Sequence, residues 1–264
     1  MSAMPAPATH PPESYWDTVR RLSAAQKRAA PGAPAYSIYV NRRLGGYLAA
    51  AAYRVGLAPN AVTAISAVFT FSGILILAVG EPGWAQGVAV WLLLAVGYAL
   101  DSADGQVARL RGGGSAAGEW LDHVVDSVKI SSLHLAVLIL AYRHFDLPSP
   151  AWLLVPVGFT VVAAVAFFAM ILNDLLKAKH TTGADAVPRR RTPWRSLLVI
   201  PTDYGVLCLM FVLLGAPQVF FTAYSVIFAA NTVFLALALR KWFLDMAALG
   251  VIGKPIPNPS GQTQ

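Results

Sequence analysis

The sequence predicts an all-α, polytopic integral membrane protein with six transmembrane helices, preceded by amphipathic juxtamembrane helices. Three observations carry this reading. Hydrophobic residues make up 56% of the 264-residue chain and charged residues only 12%, against roughly 45–50% and 25% in soluble domains. Apolar stretches close to the ~20 residues needed to cross a bilayer recur along the chain. Lysines and arginines cluster in alternate connections, as the positive-inside rule requires. A net charge of +7 is then topological bias plus attraction to anionic headgroups, and no nucleic-acid partner is implied.

Residues 1–12 are rich in Pro and Ala and are expected to be disordered. From Tyr15 to about Ala30, Trp16, Val19 and Leu22 alternate with Arg20, Arg21, Lys27 and Arg28, the pattern of a helix lying on a membrane surface. A second such helix is expected from Tyr36 to Val55. Residues 1–58 thus form an amino-terminal interfacial region, 59–246 a six-helix membrane domain, and 247–264 a flexible tail. The six spans are expected near 61–80, 84–103, 120–141, 151–173, 197–215 and 219–239. With the amino terminus inside, every lysine and arginine except Arg143 and Lys129 falls on the inner side, which puts residues 104–119 on the cytoplasmic face of the cell membrane. Cys208, the single cysteine, excludes an internal disulfide. No apolar segment followed by a cleavage site opens the chain, so no removable signal peptide is expected.

Chemistry concentrates between Asp101 and Asp126. On a helix, Asp101, Asp104, Gly105 and Ala108 share one face. Two carboxylates project together there, beside a notch where Gly105 and Ala108 let a bulky group such as a nucleotide approach the backbone. Gly118, Asp122 and Asp126 likewise share a face. The segment Arg111-Gly112-Gly113-Gly114-Ser115 is a turn signal, so the two helices are expected to lie antiparallel with their carboxylate pairs facing. Acids at a bilayer edge are costly, about 2.5–3.5 kcal/mol each at a helix centre, and four together require a cation. Oxygen-only ligands suit Mg2+ or Mn2+, and two such ions could clamp a pyrophosphate. Two blander readings remain open here. The acids could be structural partners of Arg109 and Lys129, or they could line the ion path of a divalent-cation transporter.

The spacing D-x2-D-G-x2-A-R-x8-G-x3-D-x3-D, filled by Asp101, Asp104, Gly105, Ala108, Arg109, Gly118, Asp122 and Asp126, resembles the signature of the CDP-alcohol phosphotransferases. That resemblance implies a membrane enzyme that displaces CMP from a CDP-linked alcohol with the hydroxyl of a second alcohol. Carried over residue by residue, Asp101, Asp104 and Asp122 bind metal, while Asp126 is both a ligand candidate and the general base. Asp101, Asp104, Gly105, Ala108, Arg109 and Gly118 then receive the cytidine nucleotide, with Arg109 neutralising a phosphate as a guanidinium does well. Two ions, Mg2+ or Mn2+, contact with membrane lipids and a homodimer are expected. The favoured donor is CDP-diacylglycerol with a small polar acceptor, in phospholipid synthesis; the reverse arrangement, a CDP-activated headgroup such as CDP-inositol, is the alternative.

Other residues carry weaker signals. Asn60 and Thr63 could reach the nucleotide from the first span, although Asn60 also suits a helix cap. The basic 177–195 segment, with Arg189 and Arg195, could draw an anionic acceptor, with Lys129 as a further phosphate-binding candidate. Asp203 is an acid within an apolar run, expected to pair with Lys129 or Arg195. His123 points about 100° away from Asp122 on a helix and reads as incidental.

Overall fold

The computed structural model describes residues 13–24, 35–180 and 202–249. Two short helices come first: α1 (Tyr15–Ala24) and α2 (Arg42–Arg54), the latter entered through a π-helical turn over Ser37–Asn41. The long helices follow: α3 (Pro59–Val79), α4 (Trp84–Leu110), α5 (Ala116–His144) and α6 (Leu154–His180). The chain closes with short α7 (Tyr204–Met210), a 3-10 turn over Phe211–Gly215, and α8 (Pro217–Ala248). No strand occurs among the described residues.

Five helices are long and apolar enough to cross a membrane: α3, α4, α5, α6 with its leading turn, and α8. Six spans were expected, and the difference lies at 197–215. Its described part holds Tyr204–Gly215, a short apolar helix that passes into 3-10 geometry at Phe211; residues 197–201 lie outside the described residues. The carboxy-terminal tail from 250 onward and the segment 1–12 are likewise outside them.

Local signals set the element ends. Pro59 and Pro217 occupy the first helical turns of α3 and α8, where a missing N–H costs nothing. Ser115 Oγ accepts the Gly118 N–H at 3.1 Å and starts α5. Between α4 and α5, Gly112 and Gly113 take φ of 94° and 140°, a left-handed region that favours glycine. Asn60 does not cap α3, since the cap position falls to extended Ala58 and the helix starts at Pro59, two residues ahead of the sequence expectation.

Small residues bring the backbones close, the packing mode that membranes favour. Ser66 Oγ on α3 donates to the Gly97 carbonyl on α4 at 2.9 Å, a contact that the absent side chain at Gly97 permits. Gly45, Gly46, Ala49 and Ala50 are buried on α2, which packs along α4. A Cβ at Gly45 would lie 2.8 Å from Ser102 Oγ. One apolar cluster joins Leu22, Ala50, Val62, Ala103 and Val107 behind the motif face of α4. A larger cluster, including Leu77, Leu94, Leu133, Phe211 and Tyr224, fills the middle of the bundle. Helix α3 packs against both α4 and α5, whereas α4 and α5 make little contact with each other. The two acidic helices therefore stand apart across a hollow, with α3 as its floor.

Candidate metal and nucleotide site

Each carboxylate is placed by its helix, and Asp101, Asp104 and Asp126 are fixed by a neighbour. Thr63 Oγ1, on the first turns of α3, donates to Asp104 Oδ2 at 2.5 Å, and the Gly105 N–H donates to Asp104 Oδ1. Asp104 is thereby turned toward α3, with 7% of its surface exposed. Asp101 stands one turn deeper on α4. Its carboxylate, with those of Asp122 and Asp126 on α5, offers three oxygens that lie within 4.8 Å of one another. The four acids are thus divided: three converge, and Asp104 faces the hollow from one side.

Lys129 completes the inner group. Its Nζ donates to Asp101 Oδ1 and pairs with Asp126 Oδ1 at 2.7 Å, with the side chain only 8% exposed. Removing one member of a buried pair of this kind costs about 3–5 kcal/mol. The reading of structural acids partnered by a buried base is therefore correct for Lys129, but only in part. One ammonium stands against four carboxylates, and Asp104 and Asp122 make no salt bridge among the described residues. Hard oxygen donors converging at this spacing fit a divalent ion of the Mg2+, Mn2+ type.

The hollow is a cavity of about 810 Å³, within the range of pockets that hold small ligands and cofactors. Asn60, Thr63, Asp104, Gly105, Ala108, Arg109, Gly118 and Asp122 all line it. The notch is open: a Cβ at Gly105 would find only Arg109 Nη1, at 3.8 Å. Gly118 has the opposite character, since a Cβ there would sit 3.0 Å from Asn60 Oδ1; glycine lets the start of α5 approach α3.

Asp101 was expected to touch the nucleotide, but it is absent from the cavity wall and sits behind it with Asp126 and Lys129. Lys129 was expected in an acceptor or phosphate pocket; it is instead held inside the acidic group. Asp203 does not pair with Lys129. It accepts the Tyr36 N–H at 2.9 Å and the Gly205 N–H at 3.0 Å, capping α7 and tying it to the turn before α2. Arg189 and Arg195 lie outside the described residues. Lys177, at the end of α6, pairs with Asp245 at 3.5 Å. His123 Nε2 lies 3.9 Å from Glu119 Oε1.

Sequence reasoning missed Arg111, Ser115 and Glu119, which also line the cavity. The turn Arg111–Ser115 was read only as a chain reversal. Its glycines in fact form part of the wall, and Arg111 Nη2 is fixed by the Leu57 carbonyl at 3.0 Å. A run of three glycines beside an arginine, next to a phosphate-sized notch, was the available signal.

Comparison with known proteins agrees with this geometry. Residues 56–248 match the sequence model of the CDP-alcohol phosphatidyltransferase family. Over 98 residues the chain is 36% identical to cholinephosphotransferase 1 of Xenopus laevis, covering 35% of this chain and 24% of that protein; it spans about a quarter of the length of that relative. Two crystal structures of phosphatidylinositol phosphate synthase from Mycobacterium tuberculosis share the fold. The one in complex with manganese and citrate has a TM-score of 0.52 at 21% identity, covering 80% of this chain and 95% of the other. The one with CDP-DAG bound has a TM-score of 0.52 at 20% identity, covering 81% and 99%.

Proposed function

This chain belongs to the CDP-alcohol phosphatidyltransferase family, and from that premise we propose that it transfers a phosphoalcohol from a CDP-linked donor to the hydroxyl of a second alcohol, releasing CMP. The observation that carries the reading is the coincidence of the open Gly105–Ala108 notch with Asp104 and Asp122 in one cavity, where Asp122 joins the converging group of Asp101 and Asp126 behind the wall. The cytidine diphosphate would enter between α4 and α5, with Arg109 beside its phosphates.

In the reaction, the acceptor oxygen forms a bond to the phosphorus of the alcohol phosphate, and the bond from that phosphorus to CMP breaks. Asp126 is the proposed base. Lys129 engages Oδ1 of its carboxylate, and the second oxygen can take the acceptor proton. Arg109 offsets charge that builds on the departing CMP. Asp101, Asp104, Asp122 and Asp126 would hold two ions, Mg2+ or Mn2+, which polarise the diphosphate when bound. Thr63 orients Asp104, and Gly113 and Gly114 form part of the cavity wall.

CDP-diacylglycerol is the proposed donor, with a small polar acceptor drawn toward the basic 177–195 segment, where Arg195 is the first residue to test. The fold shared with a protein crystallised with CDP-DAG supports this choice. A CDP-activated polar headgroup is the second reading, favoured by the similarity to a cholinephosphotransferase. The proposed setting is the cytoplasmic membrane, with the site and the amino terminus on the inner side, α1 and α2 at the interface, and a homodimer as the assembly.

The test uses proteoliposomes containing the full chain and Mg2+ or Mn2+. Labelled CDP-diacylglycerol and CDP-inositol are supplied in turn with candidate acceptors. CMP release with one donor identifies it; metal uptake without CMP release from any donor would replace this reading with a cation carrier.

A further inference from the structure

Lys129 has no part in bond making or breaking above, yet it is buried at the centre of the acidic group. Its Nζ bonds to Asp101 and Asp126, and those residues with Asp122 are the ones whose oxygens converge. An ammonium and a divalent ion would therefore contend for the same oxygens, and at a few ångströms in a poorly screened site they repel strongly. The side chain is 8% exposed, so it has little open solvent to retreat into. Charge balance points the same way. Four carboxylates set against the Lys129 ammonium and the Arg109 guanidinium of the same cavity accept one divalent ion without reversing the sign of the site. A second ion reverses it, unless a diphosphate arrives to offset the excess.

We propose that Lys129 is a built-in counter-ion that makes full metal loading conditional on the nucleotide. In the free protein it occupies Asp101 and Asp126 and weakens divalent binding there. The diphosphate of the donor supplies the negative charge that allows the metal to displace it from one carboxylate. Lys129 is thus a positioning residue for the acids, and it couples metal and nucleotide binding so that each strengthens the other. The inference rests on the reading of the cavity as a site for a metal-bound CDP-alcohol.

The experiment is a Mn2+ titration of the purified full-length protein, reading free Mn2+ by electron paramagnetic resonance, with and without CDP. For the wild type, CDP should tighten Mn2+ binding by at least about tenfold, equivalent to roughly 1.4 kcal/mol. Lys129→Met and Lys129→Gln should bind Mn2+ without CDP at least about tenfold more tightly than the wild type does, and CDP should tighten them less. Lys129→Arg, which keeps the charge, should behave as the wild type. Neutral variants that bind Mn2+ no more tightly than the wild type would overturn the proposal. So would failure of both to fold even in saturating Mn2+, since the metal would then be unable to take the place of the ammonium. Failure of the underlying reading looks different: the wild type would bind neither CDP nor Mn2+ in any combination.

Discussion

Gly105→Ala should make the protein more stable and its nucleotide binding worse. Gly105 lies inside α4 and faces the cavity, and a Cβ there would meet only Arg109 Nη1, at an ordinary contact distance of 3.8 Å. Nothing in the fold resists the methyl group. Replacing glycine by alanine within a helix stabilises by about 0.5–1 kcal/mol, through the entropy of the unfolded chain. The same methyl occupies the space through which a nucleotide would reach the backbone. Forcing an extra methyl into a close-packed contact typically costs about 1–3 kcal/mol; taking about 2 kcal/mol gives a loss of affinity of roughly thirtyfold. Thermal melting in detergent reads the first effect, and calorimetric titration with CDP in the presence of Mn2+ reads the second. Gly83→Ala serves as the control. A Cβ there also meets nothing, but Gly83 precedes the other end of α4, about 33 Å away at 1.5 Å per residue. It should leave CDP binding unchanged. If Gly105→Ala binds CDP as the wild type does, the notch is not where the nucleotide sits. If it unfolds the protein, the space beside Gly105 is not open.

Three further outcomes follow from the same geometry. Asp126→Asn should remove turnover, measured as CMP release, and lower the melting temperature because Lys129 loses a charged partner; normal turnover would dismiss Asp126 as the base. Thr63→Val removes the hydroxyl that orients Asp104 and leaves a buried acceptor short of a donor, a loss of about 1–3 kcal/mol. It should lower both the melting temperature and the affinity for CDP with Mn2+, and an unchanged affinity would show that Asp104 needs no such support. Chelation of divalent ions should abolish CMP release and lower the melting temperature, and added Mn2+ should restore both; release that persists in chelator would exclude a metal role.

The sequence was most legible where chemistry is local to a helix. Spacing alone put Gly105, Ala108 and Asp104 on one face of α4 and Gly118 and Asp122 on one face of α5, and all five line the cavity. The turn between them was equally plain, because Gly112 and Gly113 adopt backbone angles that favour glycine. What the sequence could not convey depends on how far apart helices stand. Asp101 and Asp104 share a helix face, yet Thr63 draws one toward α3 while Lys129 holds the other inward. Helical periodicity contains nothing that specifies those cross-helix partners. The same limit hid the contacts of Asp203, whose described partners, the backbone N–H groups of Tyr36 and Gly205, carry no sequence signal; Arg195, one of its expected partners, lies outside the described residues. The expected sixth span, 197–215, is described only from residue 202 onward; apolar composition there reports length, not helical continuity, and at Phe211 the helix tightens to a 3-10 turn.

The most direct test is a crystal structure of the full chain grown with Mn2+ and CDP, with the metal located by its anomalous scattering. The account predicts manganese among Asp101, Asp122 and Asp126, with the CDP phosphates beside Arg109 and the nucleotide backed against Gly105 and Ala108. Manganese bound away from these carboxylates, or CDP lying outside the space between α4 and α5, would contradict it.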